Sequence, residues 1–156
     1  MPQEVERKFL VSSDAYKALA FSSTLITQGY LSINPAATVR VRINGDKAFL
    51  TIKGEGSASG TTRYEWEKEI SPIEAKELLQ LCSSEVVDKI RYKVDFKGFI
   101  YEVDEFFGEN QGLVVAEIEL NHEDDFFEKP DWLGQEVTGI AKYYNAMLVN
   151  HPYCKW

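Results

Sequence analysis

Short segments in which charged and apolar residues alternate recur along this chain, and they constrain its fold more than any other feature. The first has the sequence EVERKFLV and begins at Glu4. Side chains of an extended strand point to alternate faces, so Glu4, Glu6 and Lys8 share one face while Val5 and Phe9 share the other. We expect the apolar face to pack in a core. The charged face is either solvated or part of a binding site.

Six further segments repeat this pattern. Their in-phase residues are Arg40 and Arg42; Thr51 and Lys53; Arg63, Glu65 and Glu67; Lys89, Arg91 and Lys93; Glu102 and Asp104; Glu117 and Glu119. For any single strand, charges in water and apolar groups in a core explain the pattern. Solvent-facing strands, however, normally mix Thr, Ser, Gln and Lys, whereas these faces are dense in Arg and Glu. Taken together, the segments favour charged faces that point into a shared interior.

Turn and cap signals connect these segments in an antiparallel order. Asn44-Gly45 is typical of a hairpin, because both residues of such a turn must tolerate positive φ. Lys97-Gly98 marks a second hairpin. Ser71-Pro72-Ile73-Glu74 predicts a helix start, with Ser as N-cap, Pro in the first turn and Glu completing a capping box. Further helices are expected soon after Ser12, at residues 122–127 and, as a closing helix, at residues 140–149.

The resulting count is about eight strands and about four helices. It predicts an α+β fold built on an eight-stranded antiparallel β-barrel with flanking helices, because closing the sheet removes exposed edges. A chain of 156 residues is most simply a single domain, residues 1–156. If the charged faces point into this barrel, the helices and the aromatic side chains must cover its outside.

Composition excludes several classes of partner. The net charge of −8 argues against nucleic acid, because such binding draws mainly on phosphate neutralisation by a basic surface. A small anionic ligand remains compatible, since cations can be gathered in one concave site. No run approaches the roughly 18 apolar residues that span a bilayer, and Glu4 and Glu6 stand where a signal peptide would carry positive charge. We expect a soluble, cytoplasmic protein without a membrane partner.

An interior that carries both signs of charge implies ligands, because buried charges must be paired or must bind metals. Carboxylates suit a hard cation such as Mg²⁺ or Mn²⁺, and the candidates are Glu4, Glu6, Asp104, Glu117 and Glu119. Lysine and arginine suit the oxygens of a polyanion, and the candidates are Lys8, Arg40, Arg42, Lys53, Lys89 and Arg91. A metal-binding tunnel lined by cations fits a triphosphate better than a sugar or a lipid.

The opening Glu4-Val5-Glu6-Arg7-Lys8 resembles the ExExK signature of the CYTH superfamily, the triphosphate tunnel metalloenzymes. Further blocks follow in the same order over nearly the whole chain, and the short bacterial members are most similar. These blocks are Gln28-Gly29-Tyr30-Leu31, Arg40-Val41-Arg42, Thr51-Ile52-Lys53, Arg63-Tyr64-Glu65-Trp66-Glu67, Lys89-Ile90-Arg91-Tyr92, Glu102-Val103-Asp104, Ala116-Glu117-Ile118-Glu119-Leu120 and Lys142-Tyr143-Tyr144-Asn145.

The resemblance implies a tunnel that binds a triphosphate with a divalent metal and hydrolyses a phosphoanhydride bond. It implies metal ligands at Glu4, Glu6, Asp104, Glu117 and Glu119. Phosphate contacts are implied at Lys8, Arg40, Arg42, Lys53, Lys89, Arg91 and Lys142. Arg63, Glu65, Glu67 and Glu102 are implied to line the tunnel. Catalytic roles are expected for Lys8, Lys89 and the pair formed by Tyr30 and Lys53.

The leading hypothesis is a metal-dependent hydrolase that cleaves inorganic tripolyphosphate to pyrophosphate and phosphate. Hydrolysis of a nucleoside or thiamine triphosphate, and adenylate cyclisation of the class IV type, are alternatives within the same family. A non-catalytic module that binds polyphosphate or a nucleotide is the alternative of a different class. Trp132 and Trp156, if exposed, are compatible with a homodimer.

Overall fold

One antiparallel sheet dominates the computed structural model, which describes residues 2–82 and 85–156. Its strands in the described residues are β1 (Gln3–Val11), β2 (Ser22–Ser32), β3 (Ala37–Asn44), β4 (Lys47–Gly56), β5 (Thr62–Ile70), β6 (Val87–Phe96), β7 (Phe99–Phe106), β8 (Val114–Glu119) and β9 (Leu133–Glu136). They pair in the order β5-β4-β3-β2-β6-β7-β8-β1-β9, and β1 also pairs with β5. The sheet is therefore a closed barrel of β1 to β8, as the sequence predicted.

Strand β1 closes the barrel because it pairs along both of its edges. One edge faces β8, with Glu6 opposite Glu119 and Lys8 opposite Glu117. The other edge faces β5 first, with Glu4 opposite Arg63. The same edge then pairs with the short strand β9, which the sequence did not predict. The pairing of β1 with β5 and β8 brings the charged residues of these three strands together.

Three short α-helices and three 3₁₀ turns accompany the barrel in the described residues. The helices are α1 (Tyr16–Leu19), α2 (Pro72–Gln80) and α3 (Asn145–Leu148), and the 3₁₀ turns are Gly108–Asn110, Ala141–Tyr143 and Tyr153–Lys155. Helix α2 has the predicted capping box: the Ser71 hydroxyl accepts from the Glu74 amide, and the Glu74 carboxylate accepts from the Ser71 amide. Its Ala75 packs on Val41 and Ala48, on the outside of the barrel.

One large apolar cluster lies outside the barrel, and a second fills one end of its interior. Outside, the alternate residues of β1, β7 and β8 pack under the segment that contains Trp132; this cluster includes Phe9, Tyr101 and Ile118. Trp132 is only 3% exposed, so the prediction that it is an exposed interface residue was wrong. A second cluster joins Val87, Phe106, Leu113 and Val115 to Leu148 of α3. Since Val87, Phe106 and Val115 are in phase with the charged residues of their strands, this cluster fills one end of the interior.

Two predicted helices are not formed. Residues 122–127 contain a turn instead, in which the Asp125 amide donates to the His122 carbonyl and the Asp125 carboxylate accepts from the backbone amides of Asn121 and His122. The predicted closing helix is broken: Tyr144 has an extended backbone between the 3₁₀ turn and α3. No helix among the described residues has the length and apolar character that crossing a bilayer requires.

Candidate functional site

The open part of the barrel interior is a cavity of about 750 Å³ whose walls are densely charged. Each of the eight barrel strands contributes at least one lining residue. The lining cations are Lys8, Arg40, Arg42, Lys53, Arg63 and Arg91, and the lining carboxylates are Glu4, Glu6, Glu55, Glu65, Glu67, Glu102, Glu117 and Glu119. Tyr30 lines it as well. The charged strand faces therefore point inward, and the solvated alternative is wrong for these residues.

Glu4 is already held by cations of the neighbouring strands. The Lys53 ammonium donates to both Glu4 carboxylate oxygens at 3.0 Å, and Arg63 Nε lies 3.5 Å from Glu4 Oε1. Lys53 also contacts Glu65 at 3.3 Å. Burial alone would raise the pKa of Glu4, but the adjacent Lys53 outweighs it and the pKa is lowered. Glu4 and Lys53 thus form an ion pair at the cavity wall.

The carboxylates on β1 and β8 crowd one another. Withdrawal from water and the nearby carboxylates of Glu117 and Glu4 raise the pKa of Glu6 well above its usual range. Burial followed by repulsion from Glu4 and Glu102 raises the pKa of Glu119. Burial would also raise the pKa of Glu117, yet the Lys8 ammonium and other partners bring it well below the usual range. Such a cluster gains stability from any cation that neutralises it.

These oxygen donors fit a hard divalent cation, which takes carboxylates, phosphate oxygens and water as ligands. In the part of the chain that the structure describes, no three Asp, Glu, His or Cys side chains are grouped as a complete metal site. A cation held here by Glu4, Glu6, Glu117 or Glu119 would thus complete its shell with phosphate oxygens and water. This division is usual for Mg²⁺, which commonly binds proteins through one or two carboxylates plus substrate phosphates.

The opposite wall presents guanidinium groups from β3. Arg40 Nη2 donates to the Thr51 hydroxyl at 3.2 Å and lies 3.6 Å from Glu67. Arg40 Nε is buried and, among the described residues, has no hydrogen-bond acceptor. Arg42 donates through two nitrogens to the side-chain oxygen of Gln28. Burial and the like charges of Arg40 and Arg91 lower the pKa of Arg42 to about 9, so the group stays charged at neutral pH.

Two predicted site residues, Lys89 and Asp104, lie below the cavity rather than on its wall. Lys89 is fully buried, and its ammonium contacts Asp104 Oδ2 at 2.8 Å. Arg91 grips the same carboxylate through two nitrogens at 2.8 and 2.9 Å. Burial would raise the pKa of Asp104, but Arg91 and Lys89 lower it to about 2. Burial lowers the pKa of Lys89 to about 7 despite Asp104. Both cations are occupied by one carboxylate, which serves here as their counterion.

Lys142 is not brought to the cavity. Its side chain is exposed, and its ammonium lies 4.4 Å from the centre of the Trp156 ring in a cation–π contact. The reason is the broken closing helix, in which Lys142 belongs to the 3₁₀ turn and points away from the barrel. The structure thus gives no contact between Lys142 and the other predicted phosphate-binding residues.

The C-terminal segment supplies site residues to which sequence reasoning assigned no role. The Tyr143 carbonyl accepts a hydrogen bond from the Lys8 ammonium at 3.2 Å. The Tyr144 ring lies between Lys8 and Arg63, with cation-to-centroid distances of 5.4 and 5.8 Å. Asn145 accepts from the Lys89 ammonium at 2.9 Å. The block Lys142-Tyr143-Tyr144-Asn145 was the available signal, but only its lysine was assigned a function.

Glycines hold this segment against the loop between β4 and β5. Gly60 has a φ of +74°, and a Cβ added there would lie 2.4 Å from Gly139 Cα. Gly139 itself has a φ of +76°. Both residues line the cavity. The two backbones therefore meet at a distance that only glycine permits, at the rim of the site.

We expect Gly60→Ala to lower the free energy of unfolding by about 2 to 3 kcal/mol, because it adds backbone strain and a contact with immovable backbone. Gly98→Ala is the matched control: Gly98 also has a positive φ of +85°, but nothing lies within 4 Å of the added Cβ. Its loss should be near 1 kcal/mol. Urea unfolding of both variants measures the difference, and equal losses would contradict a close approach at the rim.

Comparison with known proteins supports one family. The sequence model of the CYTH domain matches residues 2–150. The inorganic triphosphatase of Acetivibrio thermocellus is 52% identical over 154 residues, which cover 98% of this chain and 97% of the relative. The inorganic triphosphatase of Nitrosomonas europaea is 33% identical over 149 residues, 93% of this chain and 95% of the relative.

Solved structures agree with the sequence comparison. The crystal structure of an inorganic triphosphatase matches with a TM-score of 0.65 and 31% identity, and the match covers 96% of this chain and 95% of the other. A Pyrococcus horikoshii protein, at 21% identity and a TM-score of 0.61 over 78% of this chain and 81% of the other, shares the fold alone. The ExExK strand, the closed barrel and the nearly full-length matches lead to the same conclusion: the chain belongs to the CYTH domain family.

Proposed function

We propose that this protein is an inorganic triphosphatase that hydrolyses tripolyphosphate to pyrophosphate and phosphate with the help of Mg²⁺ or Mn²⁺. The observation that carries the proposal is the cavity itself, in which cations and carboxylates from seven of the eight barrel strands, and Tyr30 from β2, face a volume of about 750 Å³. The two inorganic triphosphatases that are 52% and 33% identical to this chain support it.

The cations of the cavity would bind the phosphate oxygens and neutralise charge that develops on the leaving group. Arg40, Arg42 and Arg91 all line the cavity and together present a positive surface to the substrate. Lys8 and Lys53 stand on the carboxylate side, where each contacts a group that substrate oxygens can replace. Positive groups thus face the substrate from both sides of the cavity, which fits a short, highly charged anion.

The carboxylates Glu4, Glu6, Glu117 and Glu119 would hold the divalent cation. When bound, such a cation polarises a phosphoryl oxygen and lowers the pKa of a coordinated water. Asp104, paired with Lys89 and Arg91, would act in this proposal as the counterion that keeps Arg91 directed into the cavity.

A substrate panel tests the proposal. Tripolyphosphate, a long-chain polyphosphate, ATP and thiamine triphosphate are each incubated with Mg²⁺, with Mn²⁺ or with EDTA, and the products are identified. We expect phosphate and pyrophosphate from tripolyphosphate at a higher kcat/KM than from the organic triphosphates, and no release in EDTA. Cyclic AMP from ATP would favour the cyclase. A rise in Tm on adding tripolyphosphate without phosphate release would favour the non-catalytic module.

A further inference from the structure

Gln28 on β2 is a fully buried polar residue that joins several parts of the site. Its side-chain oxygen accepts from Arg42 Nε and Nη2 at 3.0 and 2.8 Å. Its side-chain nitrogen donates to the Tyr30 hydroxyl at 3.0 Å and to Asn145 Oδ1 at 3.3 Å. Three of its partners, Tyr30, Arg42 and Asn145, line the cavity. Gln28 therefore supports the cavity wall from behind.

The orientation of the Gln28 amide is fixed by its partners. A guanidinium group has only donors, so the atom facing Arg42 must be the Gln28 oxygen. The Gln28 nitrogen then faces Tyr30 and Asn145 and donates one hydrogen bond to each. Asn145 is fixed in turn, because the Lys89 ammonium and the Gln28 nitrogen both donate to its oxygen. Every donor and acceptor of the Gln28 side chain is satisfied in this arrangement.

This arrangement excludes Gln28 as an acceptor of the Tyr30 hydroxyl proton. The Tyr30 oxygen accepts a proton from Gln28, and the Gln28 oxygen is already shared by two nitrogens of Arg42. Tyr30 is therefore free to donate its own proton to something other than Gln28. Since Tyr30 lines the cavity, that donor is available to an oxygen of a bound anion.

We propose that Gln28 is a positioning residue that directs the Tyr30 hydroxyl proton toward the phosphate oxygens of the substrate. The inference rests on the proposed function for the identity of that substrate. Gln28 does not itself line the cavity, so its effect on turnover passes through Tyr30 and, for binding, through Arg42. Asn145 also fixes the Gln28 amide, because its side-chain oxygen accepts the second N–H of that amide.

The discriminating variant is Gln28→Glu. It keeps the shape of the side chain and an acceptor for Arg42, but an ionised carboxylate has no proton to donate. The Tyr30 hydroxyl would then donate to residue 28 and turn its proton away from the substrate. Gln28→Glu is compared with Tyr30→Phe and with the double variant, because a double-mutant cycle isolates the part of the effect that the two residues share.

We expect Tyr30→Phe to lower kcat for tripolyphosphate about tenfold, as for loss of a hydrogen bond to a charged group. Gln28→Glu should lower kcat at least as much and also raise KM, because it partly neutralises Arg42. Adding Tyr30→Phe to Gln28→Glu should then change kcat by less than about twofold. A wild-type kcat in Gln28→Glu would overturn the proposal, and so would an equal cost of Tyr30→Phe in both backgrounds.

A second readout separates this inference from the proposed hydrolysis. Protein labelled with ¹³C-tyrosine is titrated with tripolyphosphate in EDTA, and the Tyr30 Cζ resonance is identified by its absence from Tyr30→Phe. We expect the anion to shift this resonance in the wild type but not in folded Gln28→Glu, whose other tyrosine resonances check the fold. No shift in the wild type, or equal shifts in both, would overturn the inference. Absence of phosphate release with metal would overturn only the proposed hydrolysis.

Discussion

Glu6→Gln is expected to reduce phosphate release from tripolyphosphate by at least a hundredfold at fixed Mg²⁺, and Glu4→Gln by a similar factor. Metal-ligand carboxylates carry the charge that holds a hard cation, and loss of the bound cation removes its stabilisation of the developing charge. The two variants should differ in stability. Glu4 pairs with Lys53 and Arg63, whereas the neighbours that most affect the pKa of Glu6 are other carboxylates. Glu6→Gln should thus keep or raise the Tm in EDTA, and Glu4→Gln should lower it.

The matched control for both is Glu77→Gln, the same chemical change on an exposed position of α2. It should keep wild-type activity and Tm. Activity is measured over a range of Mg²⁺ concentrations, because weakened metal binding shifts the half-saturating concentration upward. Wild-type turnover of Glu6→Gln at saturating Mg²⁺ would show that Glu6 is not a ligand, and the same result for Glu4→Gln would remove that residue from the set.

The barrel and the direction of its charged faces could be predicted because both depend on local information. A period of two places Glu4, Glu6 and Lys8 on one face whatever the rest of the chain does. The dense Arg and Glu content of the other segments then argues for a shared interior. The register of β1 with β5 and β8 is a tertiary property, and no residue pattern indicated that Glu4 would meet Lys53.

The alternation of side chains along a strand does not show whether an inward-facing residue lies in the open or in the filled part of the barrel interior. Lys89 and Arg91 are two residues apart and share a face, yet Arg91 lines the cavity while Lys89 lies beneath it. The Lys89 ammonium is 5.5 Å from the centre of the Phe106 ring, beside the apolar cluster that fills that end of the interior. Where the charged part of the interior gives way to the apolar part depends on how α3 packs into the barrel.

The C-terminal segment shows the limit of helical periodicity. Apolar residues at helical spacing predicted one helix over residues 140–149, but contacts with the barrel interrupt it. The Tyr143 carbonyl accepts from Lys8, and Asn145 accepts from Lys89. In a continuous helix the Tyr143 carbonyl would accept from the Met147 amide; here it accepts from the Lys8 ammonium, and the Met147 amide donates to Tyr144 instead. The break in the helix therefore places the Tyr143 carbonyl where it can accept from Lys8 at the cavity wall.

Asp104→Asn is expected to lower the free energy of unfolding by about 3 kcal/mol, with EDTA present and substrate absent. Lys89 and Arg91 share the Asp104 carboxylate, and Asp104 and Lys89 are almost fully buried. Removing one member of such a network leaves uncompensated buried charge, which costs about 3 to 5 kcal/mol. For a chain of this size the Tm should fall by about 10 °C.

The experiment distinguishes the counterion role of Asp104 from the metal-ligand role that the family resemblance implies. A counterion stabilises the protein without metal, whereas a ligand for a metal contributes to stability when the metal is bound. Glu102→Gln is the matched control, since Glu102 also contacts Arg91, at 3.4 Å, but is partly exposed. Its loss should stay below about 1 kcal/mol, as for exposed ion pairs. Urea unfolding of the three proteins in EDTA measures this. A wild-type stability of Asp104→Asn, together with a raised half-saturating Mg²⁺ concentration, would instead assign Asp104 to the metal, because neither result follows from pairing with Lys89 and Arg91.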